Sequence, residues 1–469
     1  MNANAPGTSA PWLTPEDRAC LGREARDQVP PEAHAELVRA AGRDPVQVLV
    51  AEDASRLPDL VPLRHARMLA SPFAFFRGAA GVMAADLART PKSGLTVQLC
   101  GDAHLSNFGM FASPERNLLF DINDFDETIP GPWEWDVKRL SASLVIAAHD
   151  NGFTPRQARK IALAAVRRYQ ASMAELAALG NLEVWYTKLD VAEARRQIGD
   201  QIDARTGKRL DRAIAKARSR DHRRSLQKLT AIVDGRRRIV GDPPLVVPIS
   251  DLAPETAPDA IESAVGDLLE RYSQTLPVGF RELVRSYRFV DMARKVVGVG
   301  SVGTRCWIVL MVGRDEDDPL FLQVKEAGRS ALADHLGDTS SIPHGERVVT
   351  GQRLMQAAGD PFLGYQTTIG LDGRSRDFYV RQLADWKGSA DVATMLPRML
   401  RSYGQLCAWS LARAHARSGD RIAIAAYLGT DDVFAQAVTA FAEGYAELNS
   451  LDHAAMRAAV EAGLVRSQG

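Results

Sequence analysis

Polar and apolar positions along this chain fall into distinct regimes. Over 136–149 and 155–179 apolar residues recur at helical spacing, which predicts two amphipathic helices. Residues 73–89 place apolar groups on every side, the pattern of a helix buried on most faces. Arg77 inside that stretch is either a snorkelling surface residue or the buried partner of a carboxylate. From 294 to 383 the period changes. Apolar, β-branched runs at 296–299, 306–312, 319–324, 364–369 and 378–383 alternate with turn signals, and one helical stretch, 344–358, follows the third run. Beyond 392 the chain turns helical again, with a long segment at 396–417. The remaining stretches read as a loose arm over 1–30, short proline-broken helices over 31–60, a Pro-rich connector over 243–258 and further helix over 259–292.

Two short apolar runs, 97–99 and 118–120, have the length of buried strands, and each empties into a polar loop. The first loop carries Asp102 and Asn107; the second carries Asp121, Asp124 and Asp126. Carboxylates at the ends of buried strands are costly unless they hold a metal or a basic group. Carboxylate and amide oxygens are hard ligands of the kind magnesium takes beside substrate phosphates. The plainer alternative is a pair of Asp/Asn-rich turns closing two strands.

Gly298-Val-Gly300-Ser-Val-Gly303 fits G-x-G-x-x-G, but a strand pattern follows it where a dinucleotide fingerprint needs a helix. A P-loop would need Gly-Lys-Ser/Thr, which is missing. A glycine turn between strands is how protein kinases cover ATP phosphates, and it is also an ordinary tight hairpin. Lys325 ends the third run. An ammonium in an apolar strand needs anionic partners, unless the strand lies at a sheet edge. ATP phosphates and a helix carboxylate would serve, with Glu346 the first candidate; Glu326 points to the other face.

Composition narrows the classes. The 469 residues exceed one ordinary core, so two or three domains are expected. Charge is balanced at 58 basic and 58 acidic residues, so an anionic partner needs a local patch. From 190 to 238 the chain turns basic, with thirteen Lys or Arg against three Asp over 205–238. The helical spacing of this stretch suits an exposed, solvated face outside any catalytic cleft. The absence of interleaved aromatics makes a nucleic-acid contact the weaker reading. Asp234-Gly235 within it signals a hairpin. Four scattered cysteines, no signal-peptide pattern in Met1–Pro11 and no apolar stretch long enough to span a bilayer point to a cytoplasmic protein without membrane association.

Taken together, these pieces resemble the protein-kinase-like superfamily in its aminoglycoside- and choline-phosphotransferase branch. Over about 40–460 the chain resembles a bacterial family of kinase-like proteins of unknown function. The branch carries a catalytic loop H-G-D-x-H-x-x-N, which stands here as Cys100-Gly101-Asp102-Ala103-His104-Leu105-Ser106-Asn107. The resemblance implies Asp102 as catalytic base, with Lys325 as the second catalytic residue, and Asn107 as a magnesium ligand. Its metal-bridging Asp is followed by Gly at plus seven and Asp at plus twelve. Counting from Asp124 reaches Gly131 and Asp136, whereas Asp121 reaches Thr128 and Trp133. Asp124 is therefore the metal residue that the resemblance implies, and Asp136 the buttress of the catalytic loop. By the same resemblance Gly298, Gly300, Ser301 and Gly303 would cover phosphates, Lys325 and Glu346 would pair, and the backbone at Gln382–Leu383 would meet adenine.

The implied architecture is α+β and two-lobed. A loose arm (1–39) precedes a helical catalytic lobe (40–293). A β-rich lobe with a five-stranded sheet (294–388) and closing helices (389–469) follow. The chain departs from the family pattern at Cys100, at Asp126 in place of a glycine, and in lobe order, which is inverted. The implied activity is ATP- and Mg²⁺-dependent phosphoryl transfer to a hydroxyl of an unknown acceptor. Nucleotidyl transfer, nucleotide binding without catalysis, and a metal-dependent hydrolase built on Asp102, His104 and Asp121–Asp126 are the alternatives.

Overall fold

The computed structural model describes residues 12–197, 204–220, 222–338, 340–370, 373–383 and 386–468. The Met1–Pro11 segment lies outside them. The main core forms where four long helices meet: Trp133–Asp150, Pro155–Ala177, Pro397–Ser418 and Val433–Glu461. The first of these is buried on nearly every side. Trp133 stacks on Tyr169 with ring centroids 5.7 Å apart, and the Tyr169 hydroxyl meets His415 Nδ1 at 2.9 Å. Thr154 starts the second helix with a reciprocal cap: its hydroxyl accepts from Gln157 N–H and the Gln157 side chain accepts from Thr154 N–H. No helix among the described residues is long and apolar enough to cross a membrane.

The second body is an antiparallel sheet. Its described strands run, in spatial order, Gly364–Ile369, Ser375–Gln382, Pro319–Ala327, Cys306–Val312, Arg288–Lys295 and Val246–Pro248. Side chains alternate across it, so its two faces have different covers. Val309, Met311, Leu320, Leu322 and Val380 pack with Tyr272 of helix Pro258–Ser273, Val284 of helix Val278–Arg285 and Leu276 in the link between them. Ala293, Ile308, Leu310 and Phe321 lie on the face of Lys325, together with Leu226 and Ile239. Helix His344–Met355 lies against the first two strands.

Four expectations change. Residues 296–299 form no strand; the first long strand is Arg288–Lys295, with a bulge between Phe289 and Asp291. Its charged, irregular alternation hid it, while Val299 belongs to a turn and packs on the helical body. The described sheet has six strands rather than five, because Val246–Pro248 joins it. The β body therefore takes in residues assigned from sequence to the helical lobe. Within the arm expected over 1–39, the described residues carry helices Pro15–Gln28 and Pro31–Ala35, both packed on the helical body. Helix Pro15–Gln28, with a Thr14–Asp17 capping box, packs on Arg421–Leu428, where a Cβ on Gly22 would stand 2.1 Å from Ala423 O. Finally, 73–89 is two helices, Pro72–Gly78 and Ala80–Leu87, broken at Ala79.

Candidate active site

Strand Thr96–Leu99 delivers the first polar loop. Asp136, in the first turn of its helix, accepts from the N–H groups of Cys100 and Gly101 at 2.8 and 3.0 Å, and His415 Nε2 lies 3.2 Å from it. Gly101 needs its freedom: φ is +83°, and a Cβ would meet Glu127 O at 2.3 Å. The loop thus aims Asp102 with little slack. Asp102 Oδ1 accepts from Arg139 Nε at 2.5 Å, and His104 Nε2 stands 3.6 Å from Oδ2. Burial pushes the Asp102 carboxyl up, against the opposing pull of Arg139 and Arg77. Burial, with the same two arginines, holds His104 neutral, and its Nδ1 accepts from Ser106 N–H. Arg77 therefore faces the buried carboxylate rather than snorkelling.

Asn107 ties the two loops together. Its Nδ2 donates to Asp102 O and its carbonyl accepts from Asn123 N–H, both at 2.8 Å. No donor among the described residues reaches its Oδ1.

The three aspartates of the second loop separate cleanly. Asp121, on strand Leu118–Ile122, is sealed in the core, where Arg413 Nη2 donates to both its oxygens at 2.8 and 2.7 Å. Its second oxygen also accepts from Ala357 N–H. Asp124 and Asp126 face the sheet. Lys325 Nζ lies 2.6 Å from Asp126 and 3.9 Å from Asp124. Burial alone would push this ammonium toward neutrality, but the two carboxylates outweigh it and hold its pKa well above the usual lysine value. Burial, then the charge of Asp126, pushes Asp124 up. Burial would raise Asp126 as well, but Lys325 and a 2.6 Å hydrogen bond from the Tyr379 hydroxyl hold it below the ordinary range. Glu127, next in the chain, is pushed by burial up to about 7.

The glycine turn closes over this ion pair. Gly298 and Gly303 take φ of +66° and +90°, and Ser301 Oγ reaches Asp126 at 3.5 Å. Its carbonyls are held from the helical body: Arg67 binds Gly298 O at 2.6 Å, and Arg56 binds Gly300 O and Val302 O at 2.7 and 2.6 Å. The N–H groups of Gly300, Ser301 and Gly303 meet no acceptor among the described residues.

Two expected partners are displaced. Glu346 does not reach Lys325; it faces Tyr365. One position along that helix turn, Arg347 is the inward residue, donating to Asp126 O at 2.9 Å and Gly328 O at 2.8 Å. Gln382 N–H is taken by Asp360 at 2.7 Å and Leu383 N–H by Phe321 O at 2.9 Å, so neither donor is open to a base. The basic run is also not a free solvated face. Its hairpin forms at Asp234–Gly235 (Thr230–Val233 with Arg236–Ile239), but Leu226 and Ile239 are buried against the β body and Ala217 in the main core.

Sequence reading offered Arg77 as the buried partner of a carboxylate without naming Asp102, and it missed Arg139 beside Asp102 and Tyr379, Arg381 and Lys387 beside Asp124. An arginine in a helix buried on nearly every side was the available signal for Arg139. Tyr379 and Arg381 sit on the strand next to Lys325 with the same parity, which becomes visible once that pairing is known. Arg381 donates to Gln323 Oε1 and to Asn123 O, both at 3.0 Å. Lys387 is half-buried, and no acceptor among the described residues reaches its ammonium. The charge of Arg381, then burial, pushes Lys387 down to about 7.

Residues 56–459 match the family described as an uncharacterized protein conserved in bacteria (DUF2252). The chain belongs to this family. No curated protein and no solved structure matches it. The charged centre described above lies wholly within the span shared by this DUF2252 family.

Proposed function

We propose that this DUF2252 protein is an ATP- and Mg²⁺-dependent phosphotransferase with a protein-kinase-like, two-lobed fold in reversed chain order, acting on a hydroxyl-bearing acceptor. The observation that carries the reading is one meeting point. Lys325 pairs with Asp126 across 199 residues of chain, with Asp124 beside it, under a glycine turn that touches Asp126 through Ser301. An ammonium, carboxylates and free backbone N–H groups are each unfavourable alone, and around a polyphosphate they compensate one another.

Phosphoryl transfer needs positioning and charge neutralisation more than covalent chemistry, and these groups supply both. Asn107 Oδ1 and Asp124 fit magnesium, which needs only one or two protein oxygens besides water and phosphate. The bound ion would neutralise charge on the phosphates. Lys325 and the N–H groups of Gly300, Ser301 and Gly303 would hold the phosphates in line with Asp102. Asp102, raised by burial, would orient the acceptor hydroxyl and take its proton. The hydrolase alternative loses two of its groups, since Asp121 is committed to Arg413 and His104 Nδ1 to Ser106.

One observation favours a second reading, nucleotide binding without catalysis: Arg139 already occupies Asp102 at 2.5 Å. Incubation with Mg-ATP labelled at α or γ, with cell extract as acceptor source, separates the readings. Transfer of γ label that is lost in Asp102→Asn supports phosphoryl transfer. Movement of α label makes the activity nucleotidyl transfer. Binding with no label moved leaves the non-catalytic reading.

A further inference from the structure

The sheet face that carries Lys325 has three zones along strand Pro319–Ala327. Lys325, Gln323 and Phe321 share this face with Cys306, Ile308 and Leu310 on one neighbouring strand and with Tyr379, Arg381 and Leu383 beside the other. The first zone is ionic, built on Lys325 and Asp126. The second is polar: Gln323 donates to the Cys306 sulfur at 3.4 Å and accepts from Arg381 at 3.0 Å. The third is apolar, formed by Phe321, Ile308, Leu310 and Leu383. Four residues at about 3.3 Å each set Phe321 roughly 13 Å along the strand from Lys325. With phosphates at Lys325, this apolar zone is the wall against which a nucleobase would lie.

That wall is already covered by the chain itself. Leu226 and Leu229 of helix His222–Leu229, with Ile239 of the hairpin that follows, pack onto Phe321, Ile308 and Leu310. The link after the preceding helix, Ala204–Arg218, is clamped at a second point, Arg220. Arg220 O accepts from Trp386 N–H at 2.9 Å, and Arg220 Nη1 donates to Lys387 O at 3.2 Å. A Cβ on Gly388 would stand 3.0 Å from the Ala217 methyl, so the backbone there approaches as closely as it can. The outward side of these helices carries exposed Lys208, Arg212, Lys216, Arg223 and Lys228, which repel one another. The seat is thus a small apolar contact under a strongly charged exterior: Leu226 and Leu229 on the sheet face, and Ala217 and Ile214 at the margin of the main core.

We propose that helices Ala204–Arg218 and His222–Leu229 form an intramolecular cover that competes with the nucleotide for the base end of the cleft, so that Mg-ATP binds the form in which the cover is displaced. The proposal rests on the nucleotide reading of the cleft given above. It reverses the expectation that the basic segment lies apart from that site. Apparent affinity would then be the intrinsic affinity reduced by the fraction of molecules with the cover open. The cover needs no partner to act; its own charge repulsion sets how readily it opens, which ties the equilibrium to ionic strength.

The test uses the full chain in three forms: native, Leu226→Glu, and the milder Leu226→Ala in case the glutamate variant fails to fold. Amide hydrogen exchange over 306–312 and 319–324 reports whether the cover has lifted, independently of any ligand. Isothermal titration with Mg-ATP reports affinity. The expected result is faster exchange in both strands and at least tenfold tighter Mg-ATP binding in Leu226→Glu, with a smaller shift of the same sign in Leu226→Ala. Faster exchange with equal or weaker binding overturns the cover alone, because the helix would then be a bystander or a wall of the site. Faster exchange with no binding to any form overturns the nucleotide reading and the competition with it.

Discussion

Replacing Lys325 by methionine tests both the energetics of the site and its chemistry. Methionine keeps the length of the side chain and removes the charge. The ammonium is 2% exposed and bonds Asp126 at 2.6 Å, with Asp124 at 3.9 Å. Removing one member of a buried pair typically costs 3–5 kcal/mol, because the other is left charged and uncompensated. Here the cost is smaller. Asp126 is 27% exposed, keeps the hydrogen bond from Tyr379, and still feels the charge of Arg381. About 2–3 kcal/mol at pH 7 follows.

The loss should depend on pH, and its sign is fixed. In the native protein Lys325 holds Asp126 below the ordinary carboxylate range, so Asp126 contributes stability above its unfolded pKa and loses it as pH falls through the lower folded value. Without Lys325, burial dominates and raises the carboxyl above its unfolded value. The variant is then penalised at neutral pH and relieved as the carboxyl protonates on acidification. Urea unfolding of native and Lys325→Met protein at pH 7 and pH 5 measures the gap, which should narrow toward pH 5. A gap below about 0.5 kcal/mol, or one equal at both pH values, would show that the pair is not the buried, carboxylate-stressing contact argued here. The variant should also lose any Mg-ATP-dependent stabilisation, since its phosphate contact is gone.

Other outcomes follow from the same geometry. Mg-ATP at about 100 times its dissociation constant should stabilise native protein by roughly 2.7 kcal/mol, and the absence of any melting shift at millimolar Mg-ATP in folded protein would end the nucleotide reading. Asp124→Ala should abolish the Mg²⁺ dependence of binding, whereas Asp102→Ala should retain binding and lose transfer; the reverse pattern in titrations would invert the assignment of the two loops. Arg413→Met should cost about 3–5 kcal/mol in urea unfolding, because it strands Asp121 in the core, and should leave nucleotide affinity of the folded protein nearly unchanged. Lys387, pushed down to about 7, lies below its unfolded value, so it makes native stability rise with pH above about 7 until the unfolded chain also deprotonates. A phosphate beside it would favour the protonated form, so Mg-ATP affinity should fall as pH rises from 7 to 8. That slope should flatten in Lys387→Met, and an unchanged slope would remove Lys387 from the site.

What the sequence determined by itself was local. Helical periodicity at 136–149 and 155–179, the Asp234-Gly235 hairpin, the strands at 306–312 and 319–324 and the two carboxylate loops are set by backbone preference and by which side of an element is apolar. Their place at the ends of apolar runs also marked Asp102, Asn107, Asp121, Asp124, Asp126 and Lys325 as residues needing partners, and the family resemblance picked Asp124 from the second loop. The partners themselves were decided by tertiary structure, because periodicity identifies a face to be covered without saying what covers it. Family spacing preferred Asp124 to Asp121, but what takes Asp121 out of the cleft is Arg413, 292 residues away. Lys325 meets Asp126 rather than Glu346 because the helix from His344 turns Arg347, not Glu346, toward the second loop. The basic segment looked solvated because thirteen cations outweigh two leucines, Leu226 buried and Leu229 half-buried, in any window average. In three dimensions those leucines lie against Phe321 and Ile308, on the sheet face of Lys325.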